Sequence, residues 1–244
     1  MRRLLVVTAH PDDEAGNFGG TLLRCAAAGV QSLLICLTAG EAARNRGKAV
    51  DNENLAAIRT LELARSCELL KIGAHQVWGF PDGKLMEANF NDITSRLASV
   101  VRDFKPDVVL TLGPEGGITG HPDHAMAGLT ASAAFHWAGR DKFFASLGKP
   151  AHQAARLFYS SAERTPAHLP ALNLPPVDLR VDISAYLETK LAAFQAHLTQ
   201  APLFERVSGF VRSVGGTECF HLAAAPAGFD RAALAASGDL FFGL

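Results

Sequence analysis

Apolar residues along this chain fall into short continuous runs, separated by stretches in which they recur every three or four positions. The runs RLLVVTA (3–9), SLLICLT (32–38), HQVWGF (75–80) and DVVLTL (107–112) read as strands, rich in β-branched residues and without the alternation of a half-exposed sheet. Between them the rhythm is helical. Residues 18–29 end at Gly29, a helix C-terminal signal. Asp51 or Asn52 caps a second helix reaching about Leu70, with Leu55, Ile58, Leu61 and Leu69 on its apolar face. Phe90, Ile93, Leu97, Val100, Val101 and Phe104 mark one face of a third, which Pro106 stops. A glycine-rich loop over 113–120 leads into a fourth helical stretch, HPDHAMAGLTASAAF. The final third is less regular. Strands are expected over 156–161, 177–183 and 217–222, with helices over 184–199 (capped by Ser184) and about 203–213.

This alternation predicts an α/β fold: a Rossmann-like, doubly wound, mostly parallel sheet with helices on both faces and a less regular C-terminal extension. No repeat, low-complexity tract or linker divides the chain. Residues 1–244 therefore read as a single domain, with 166–176 as a surface loop.

Composition narrows the function classes. With 48% hydrophobic and 19% charged residues the chain buries a sizeable core, which excludes general disorder. Lys and Arg (23) balance Asp and Glu (24), leaving a net charge of -1 and no basic stripe for nucleic acid. No apolar run reaches the ~18–20 residues of a membrane span. The opening MRRLLVV stops at Thr8 and meets His10, Asp12, Asp13 and Glu14, unlike a signal peptide. The expectation is a cytoplasmic protein with no nucleic-acid partner and no membrane insertion. Cys25, Cys36, Cys67 and Cys219 lie in apolar contexts with no C-x-x-C, and read as buried thiols in a reduced compartment. The apolar end, 240–244, is expected to close the domain; packing on a second copy in a homo-oligomer is the alternative.

Two polar segments stand at the ends of strands one and four: AHPDDE (9–14) and HPDH (121–124). Alone, each has a plain structural explanation, as an Asx-type helix cap or a proline-led helix start. In a doubly wound sheet, however, strands one and four are neighbours where the strand order reverses, and ligands bind at their carboxyl ends. Three histidines and four acidic residues would then converge. Two imidazoles and a carboxylate make a catalytic zinc site with an open position. A further carboxylate, Asp12 or Asp123, is needed to accept a proton, and a spare protonated histidine polarises a carbonyl or protonates a leaving amine. His75, His136, His152, His168 and His221 have no partner pattern and read as structural or surface residues.

AHPDDE followed by GITGHPDH (117–124) resembles the LmbE-like (PIG-L) family of zinc-dependent N-acetylglucosaminide deacetylases. TAGE (38–41) is similar to that family's T-x-G-E loop, and Arg59 with Glu62 to its R-x-x-E helix. WGFPDGKL (78–85) is similar to its L-G-x-x-D-G segment. VDISAYLETKLAAFQAHLTQ (181–200) is similar to its late D-I-x, K-x-x-A, H-x-S-Q helix. The resemblance spans about residues 3–200. It implies His10, Asp13 and His124 as ligands of one zinc ion per chain, and Asp12 as general base. It implies His121 at the oxyanion or leaving amine, and Asp123 orienting a histidine. Arg59 and Asp82 would contact the substrate. Two positions depart from the pattern: Thr119 stands where some members carry a tyrosine, and Thr199 replaces a serine. His197 and Gln200 either pack or reach the site. The implied substrate is a small N-acetyl sugar. The alternatives are a metal-dependent hydrolase of a non-sugar amide or ester, and a sugar- or nucleotide-binding module. The last is disfavoured because strand one lacks G-x-G-x-x-G and its acidic cluster repels phosphate. Loops 41–50, 136–155 and 164–176 are expected at the pocket mouth.

Overall fold

The computed structural model describes residues 1–167, 169, 173–214 and 216–244, so the expectation for His168 lies outside the described residues. Seven strands form one sheet: β1 (Arg3–Thr8), β2 (Gln31–Thr38), β3 (Ala74–Phe80), β4 (Val108–Thr111), β5 (Arg156–Ser161), β6 (Leu179–Asp182) and β7 (Thr217–Ala224). Their order is β3-β2-β1-β4-β5-β7-β6. The first five run parallel, and β7 is antiparallel to both β5 and β6. β1 and β4 pair directly, Leu4 to Val7 against Val108 to Thr111, so the reversal of strand order falls where the two HPD segments emerge.

The helices are α1 (Asp13–Ala27), α2 (Asn52–Leu69), α3 (Phe90–Phe104), α4 (Pro122–Ala138), α5 (Leu187–Gln195), α6 (Ala201–Ser213) and α7 (Arg231–Ser237). α3 packs on α4, whereas α1 and α2 pack with α5. None of the described helices is long and apolar enough to cross a membrane. Their ends follow local chemistry. The Asp51 carboxylate accepts the Asn54 N–H at 2.7 Å, and Asn89 caps α3 through two N–H groups. α4 opens on Pro122 with the His121 ring as its cap. The core lies between sheet and helices, with Phe18 stacked on Phe220 at 6.3 Å and Leu4, Leu34, Leu110 and Phe158 fully buried.

Several sequence expectations shift. α1 starts at Asp13, not at 18, because Asp13 and Glu14 form its first turn and are buried for polar reasons that an apolar count overlooks. β3 is an edge strand with a half-exposed surface, partly covered by the Arg96 guanidinium over the Trp78 ring at 4.4 Å. α2 does not bury Leu61, which is 72% exposed; it turns Arg59 and Glu62 inward instead. Ser184 belongs to a 3-10 turn, and α5 begins at Leu187. Cys25, Cys36 and Cys67 are buried and Cys219 is half-buried, all as free thiols. Leu240 and Phe241 are buried, and the Arg156 guanidinium holds the carbonyls of Leu240 and Phe242. The chain end thus closes against its own sheet.

Candidate metal centre and active-site cleft

The turn after β1 carries His10, Asp12 and Asp13. The Asp13 carboxylate accepts the N–H groups of Ala9 (3.2 Å) and His10 (2.9 Å), which fixes it at the strand end. The first turn of α4 brings His124 opposite. His10 Nδ1 lies 3.3 Å from His124 Nε2, Asp13 Oδ1 lies 3.2 Å from His124 Nε2, and Asp13 Oδ2 lies 3.8 Å from His10 Nδ1. Two imidazole nitrogens facing each other at that distance require a proton or a cation between their lone pairs. A tetrahedral ion with bonds of about 2.0–2.2 Å sets neighbouring ligand atoms roughly 3.3–3.6 Å apart. The three groups lie close to that spacing, and their nitrogen and oxygen donors are of the kind that suits a divalent metal.

The far nitrogen of His10 is clamped. Nε2 lies 3.1 Å from Asp82 Oδ1 and 3.2 Å from Asp123 Oδ2. Asp123 is itself fixed by the N–H groups of Gly83 (2.7 Å) and Leu85 (3.0 Å), and Asp82 by that of Ala42 (2.8 Å). Carboxylates behind a ligating imidazole set its tautomer and raise its basicity. Burial opposes protonation of His10, but the bonds to Asp123 and Asp82 and the charge of Asp13 prevail, lifting it to about 10. Burial likewise works against the ionised forms of Asp13, Asp82 and Asp123. The facing histidines and backbone donors nevertheless hold all three below their usual values.

Asp12 sits beside this donor set. Its backbone is left-handed (φ 118°, ψ -24°), a conformation that costs a residue with a Cβ about 1–3 kcal/mol. Burial pushes its carboxyl up to about 6, against the pull of Arg59. The Arg59 guanidinium bonds Asp12 Oδ2 (3.0 Å), the Gly40 carbonyl (2.8 Å) and the Pro11 carbonyl. Gly40 has a left-handed backbone (φ 70°) that favours glycine, and a Cβ there would run into the Arg59 guanidinium. Arg59 and Asp82 both line the cleft, where the Arg59 Nη groups bond Asp12, Gly40 and Pro11 and the Asp82 carboxylate bonds His10 and the Ala42 N–H.

His121 lies with its ring 4.8 Å from that of His10 and 5.2 Å from that of His124. Its Nδ1 accepts the Asp123 N–H at 3.2 Å, which leaves Nε2 as the N–H donor. Burial and the neighbouring His10 and His124 depress its pKa. With Nδ1 accepting, Nε2–H is the donor that His121 offers, and burial and its histidine neighbours disfavour the protonated ring that the sequence suggested. The Thr119 hydroxyl lies 3.3 Å from His124 Nδ1 and so supports that ring.

A cleft of about 980 Å3 opens over the cluster, lined also by Phe194 and by Leu203, Val207 and Phe210 of α6. Ala42, Ala43 and Arg44 from loop 41–50 line it, as do Arg164, Pro166 and Leu169. Residues 136–155 do not. That segment leaves the far end of α4 and packs around Arg102 and Ser99 of α3, away from the strands' carboxyl ends. Gln200 also lines the cleft, its amide bonded to the Asn45 carbonyl at 3.0 Å. His197 is instead fully buried behind the site, on Glu14. Sequence reading gave no role to Glu14, Ser66 or Glu41. Glu41 accepts the Asp82 N–H at 2.8 Å. Only the acidic run beginning at Asp12 hinted at Glu14, and nothing in the sequence singled out Ser66.

Residues 5–135 match the PIG-L family model, described as GlcNAc-PI de-N-acetylase. Over 99% of its length the chain is 32% identical to a 1D-myo-inositol 2-acetamido-2-deoxy-alpha-D-glucopyranoside deacetylase of Saccharomonospora viridis, covering 100% of that protein. Its fold is similar to that of the N,N'-diacetylchitobiose deacetylase of Pyrococcus horikoshii (TM-score 0.75, 23% identity, 91% of this chain and 83% of that one). It is equally similar to that of a 4-carboxy-2-hydroxymuconate hydratase of Pseudomonas putida (TM-score 0.75, 23% identity, 94% and 99%). One architecture thus carries two reaction types, and the site must decide between them.

Proposed function

The chain belongs to the PIG-L family, and from that premise we propose that it is a metal-dependent amide hydrolase. It removes the N-acetyl group from a small molecule containing N-acetylglucosamine, releasing acetate and a free amino sugar. The observation that carries this reading is the position of Asp12. It is a carboxylate with a raised pKa next to a three-donor metal site and outside the donor set.

His10, Asp13 and His124 hold the metal, with zinc the ion their nitrogen and oxygen donors suit. When bound, the metal supplies Lewis acidity toward the acetyl carbonyl and the attacking water. Asp12 accepts the proton of that water, and its value near 6 matches a base working near neutral pH. His121 donates its Nε2–H to the oxygen of the acetyl group as negative charge develops there. A neutral His121 has no acidic proton to spare, so the leaving amine takes its proton from Asp12, which regains its charge. Asp82 and Asp123 keep His10 in the tautomer that presents Nδ1 to the metal.

The test is acetate release from a panel of N-acetylglucosaminides by metal-loaded protein, with a chelated control. Release that vanishes with chelator and returns with zinc is expected. No release from any member, with metal still bound, would overturn the sugar reading and leave hydrolysis of a non-sugar amide. Asp12→Asn is expected to keep the metal and lose most turnover; a near-normal rate would remove Asp12 as the base.

A further inference from the structure

Glu14 and His197 are both fully buried, neither ligates the metal nor lines the cleft, and the reaction above uses neither. They are bonded to one another at 2.7 Å, through His197 Nε2 and Glu14 Oε1, across 183 residues of sequence. Ser66 Oγ donates to the same oxygen at 2.6 Å. The other oxygen, Oε2, accepts the backbone N–H of Asp12 at 3.0 Å.

That last bond reaches the one residue of the turn whose backbone is left-handed. A non-glycine residue keeps such a conformation only where its surroundings over-determine it. Asp12 is gripped at two points. Arg59 holds its carboxylate and the preceding carbonyl, and Glu14 holds its N–H. The Glu14 grip is only as firm as Glu14's own position, and that position is set by Ser66 and His197.

His197 is an expensive choice if packing alone were wanted. A fully buried imidazole loses its hydration, and its Nδ1 has no partner among the described residues. Among the described residues its one side-chain bond is that to Glu14. Its backbone is fixed to receive that role. The His197 N–H bonds the Phe194 carbonyl at 3.1 Å, and the N–H and hydroxyl of Thr199 bond the Glu62 carboxylate at 2.7 and 2.6 Å.

We propose that His197 is a positioning residue that acts through Glu14 to hold the Asp12 turn, and so its carboxylate, in the orientation the reaction requires. This rests on the reading of Asp12 as the base.

The experiment compares His197→Leu with His197→Gln in the full-length, metal-loaded protein. The glutamine amide nitrogen can occupy the place of Nε2, and leucine offers no donor. Steady-state acetate release, metal stoichiometry and hydrogen exchange of the Asp12 amide are measured together. Misplacing a catalytic group by about 1 Å costs on the order of a hundredfold. His197→Leu is therefore expected to lower kcat by about that factor, with KM and metal content unchanged, and His197→Gln to restore most of it. The Asp12 amide is expected to exchange roughly tenfold faster in the leucine variant and near normally in the glutamine variant, as loss of one hydrogen bond predicts. An unchanged kcat in His197→Leu overturns the proposal, as does a loss that glutamine does not recover. If the leucine variant does not fold, His197→Asn replaces it, being polar but too short to reach Glu14. If the wild-type protein releases no acetate, the functional reading falls by itself and the exchange rates still decide the inference. Unchanged Asp12 protection in the variant overturns it, and a loss that glutamine reverses supports the hold.

Discussion

The Arg59 guanidinium lies 3.0 Å from Asp12 Oδ2, and the same group bonds the carbonyls of Gly40 and Pro11. One buried cation therefore ties the ends of β1 and β2 to the side chain proposed as the base. The two effects on Asp12 oppose each other. Burial raises its pKa, Arg59 lowers it, and the balance stands at about 6.

Removing the cation should shift that balance in a known direction. The ionised form is the base, so turnover falls as pH drops through the Asp12 pKa. In Arg59→Met the carboxyl rises further, and the acid limb of the pH–rate profile should move to higher pH. Turnover should recover in part at alkaline pH. Arg59→Lys keeps the charge and loses the fork, so its limb should move less. Breaking a buried pair also costs stability, about 3–5 kcal/mol, readable as a fall in Tm. An acid limb that stays in place in Arg59→Met would show that Asp12 is not the titrating group.

His121 has one free donor, Nε2–H, because its other nitrogen accepts the Asp123 N–H. Removing one oxyanion donor typically costs about 10²–10³ in kcat. His121→Ala is expected to fall in that range with KM little changed, and His121→Gln, which offers an amide N–H, to retain more. A glutamine variant as inactive as the alanine one would show that the imidazole does more than donate a hydrogen bond.

The convergence of His10, Asp13 and His124 was legible because it depends on topology. Apolar runs identify parallel strands, and the reversal of strand order then brings residues 10 and 124 together. Side-chain direction within α2 was not legible. Leu61 sits at an apolar spacing, yet the helix exposes it and buries Arg59 and Glu62, because those two have polar partners in Asp12 and Thr199. Periodicity scores apolar burial and misses a helix face buried for its hydrogen bonds. His197 was ambiguous for a related reason. Whether an imidazole faces the cleft or lies behind it depends on a partner 183 residues away, which no local pattern encodes. Loop 136–155 was expected at the pocket mouth, whereas the direction of α4 carries it to the opposite end of the sheet.

The thiols give a check on burial that is independent of catalysis. Burial pushes Cys25 to about 12 and Cys36 and Cys67 above their ordinary value, and it also raises the half-buried Cys219. The thiolate is the reactive species, so all four should alkylate slowly in the folded protein. Cys219, which lines the cleft, should react first. Peptide mapping after iodoacetamide treatment reads the order, and early modification of Cys36 would contradict the packing of β2.

Metal uptake should release a proton. The carboxylates behind His10 lift it to about 10 in the metal-free protein, so it is protonated at pH 8. A metal at Nδ1 requires the neutral ring, so binding must displace about one proton per ion. Calorimetry in buffers of different ionisation enthalpy counts that proton directly, and metal affinity should rise with pH up to about 10. His124→Ala should lose stoichiometric metal; retention of one ion per chain would sink the ligand assignment. Stability follows the same linkage. A folded pKa raised above the unfolded value near 6.5 contributes stability that is complete below that pH and lost as pH rises through about 10. Metal-free protein should therefore lose Tm between those limits. Metal-loaded protein should hold its Tm across the same range, because the cation then occupies the place of the proton.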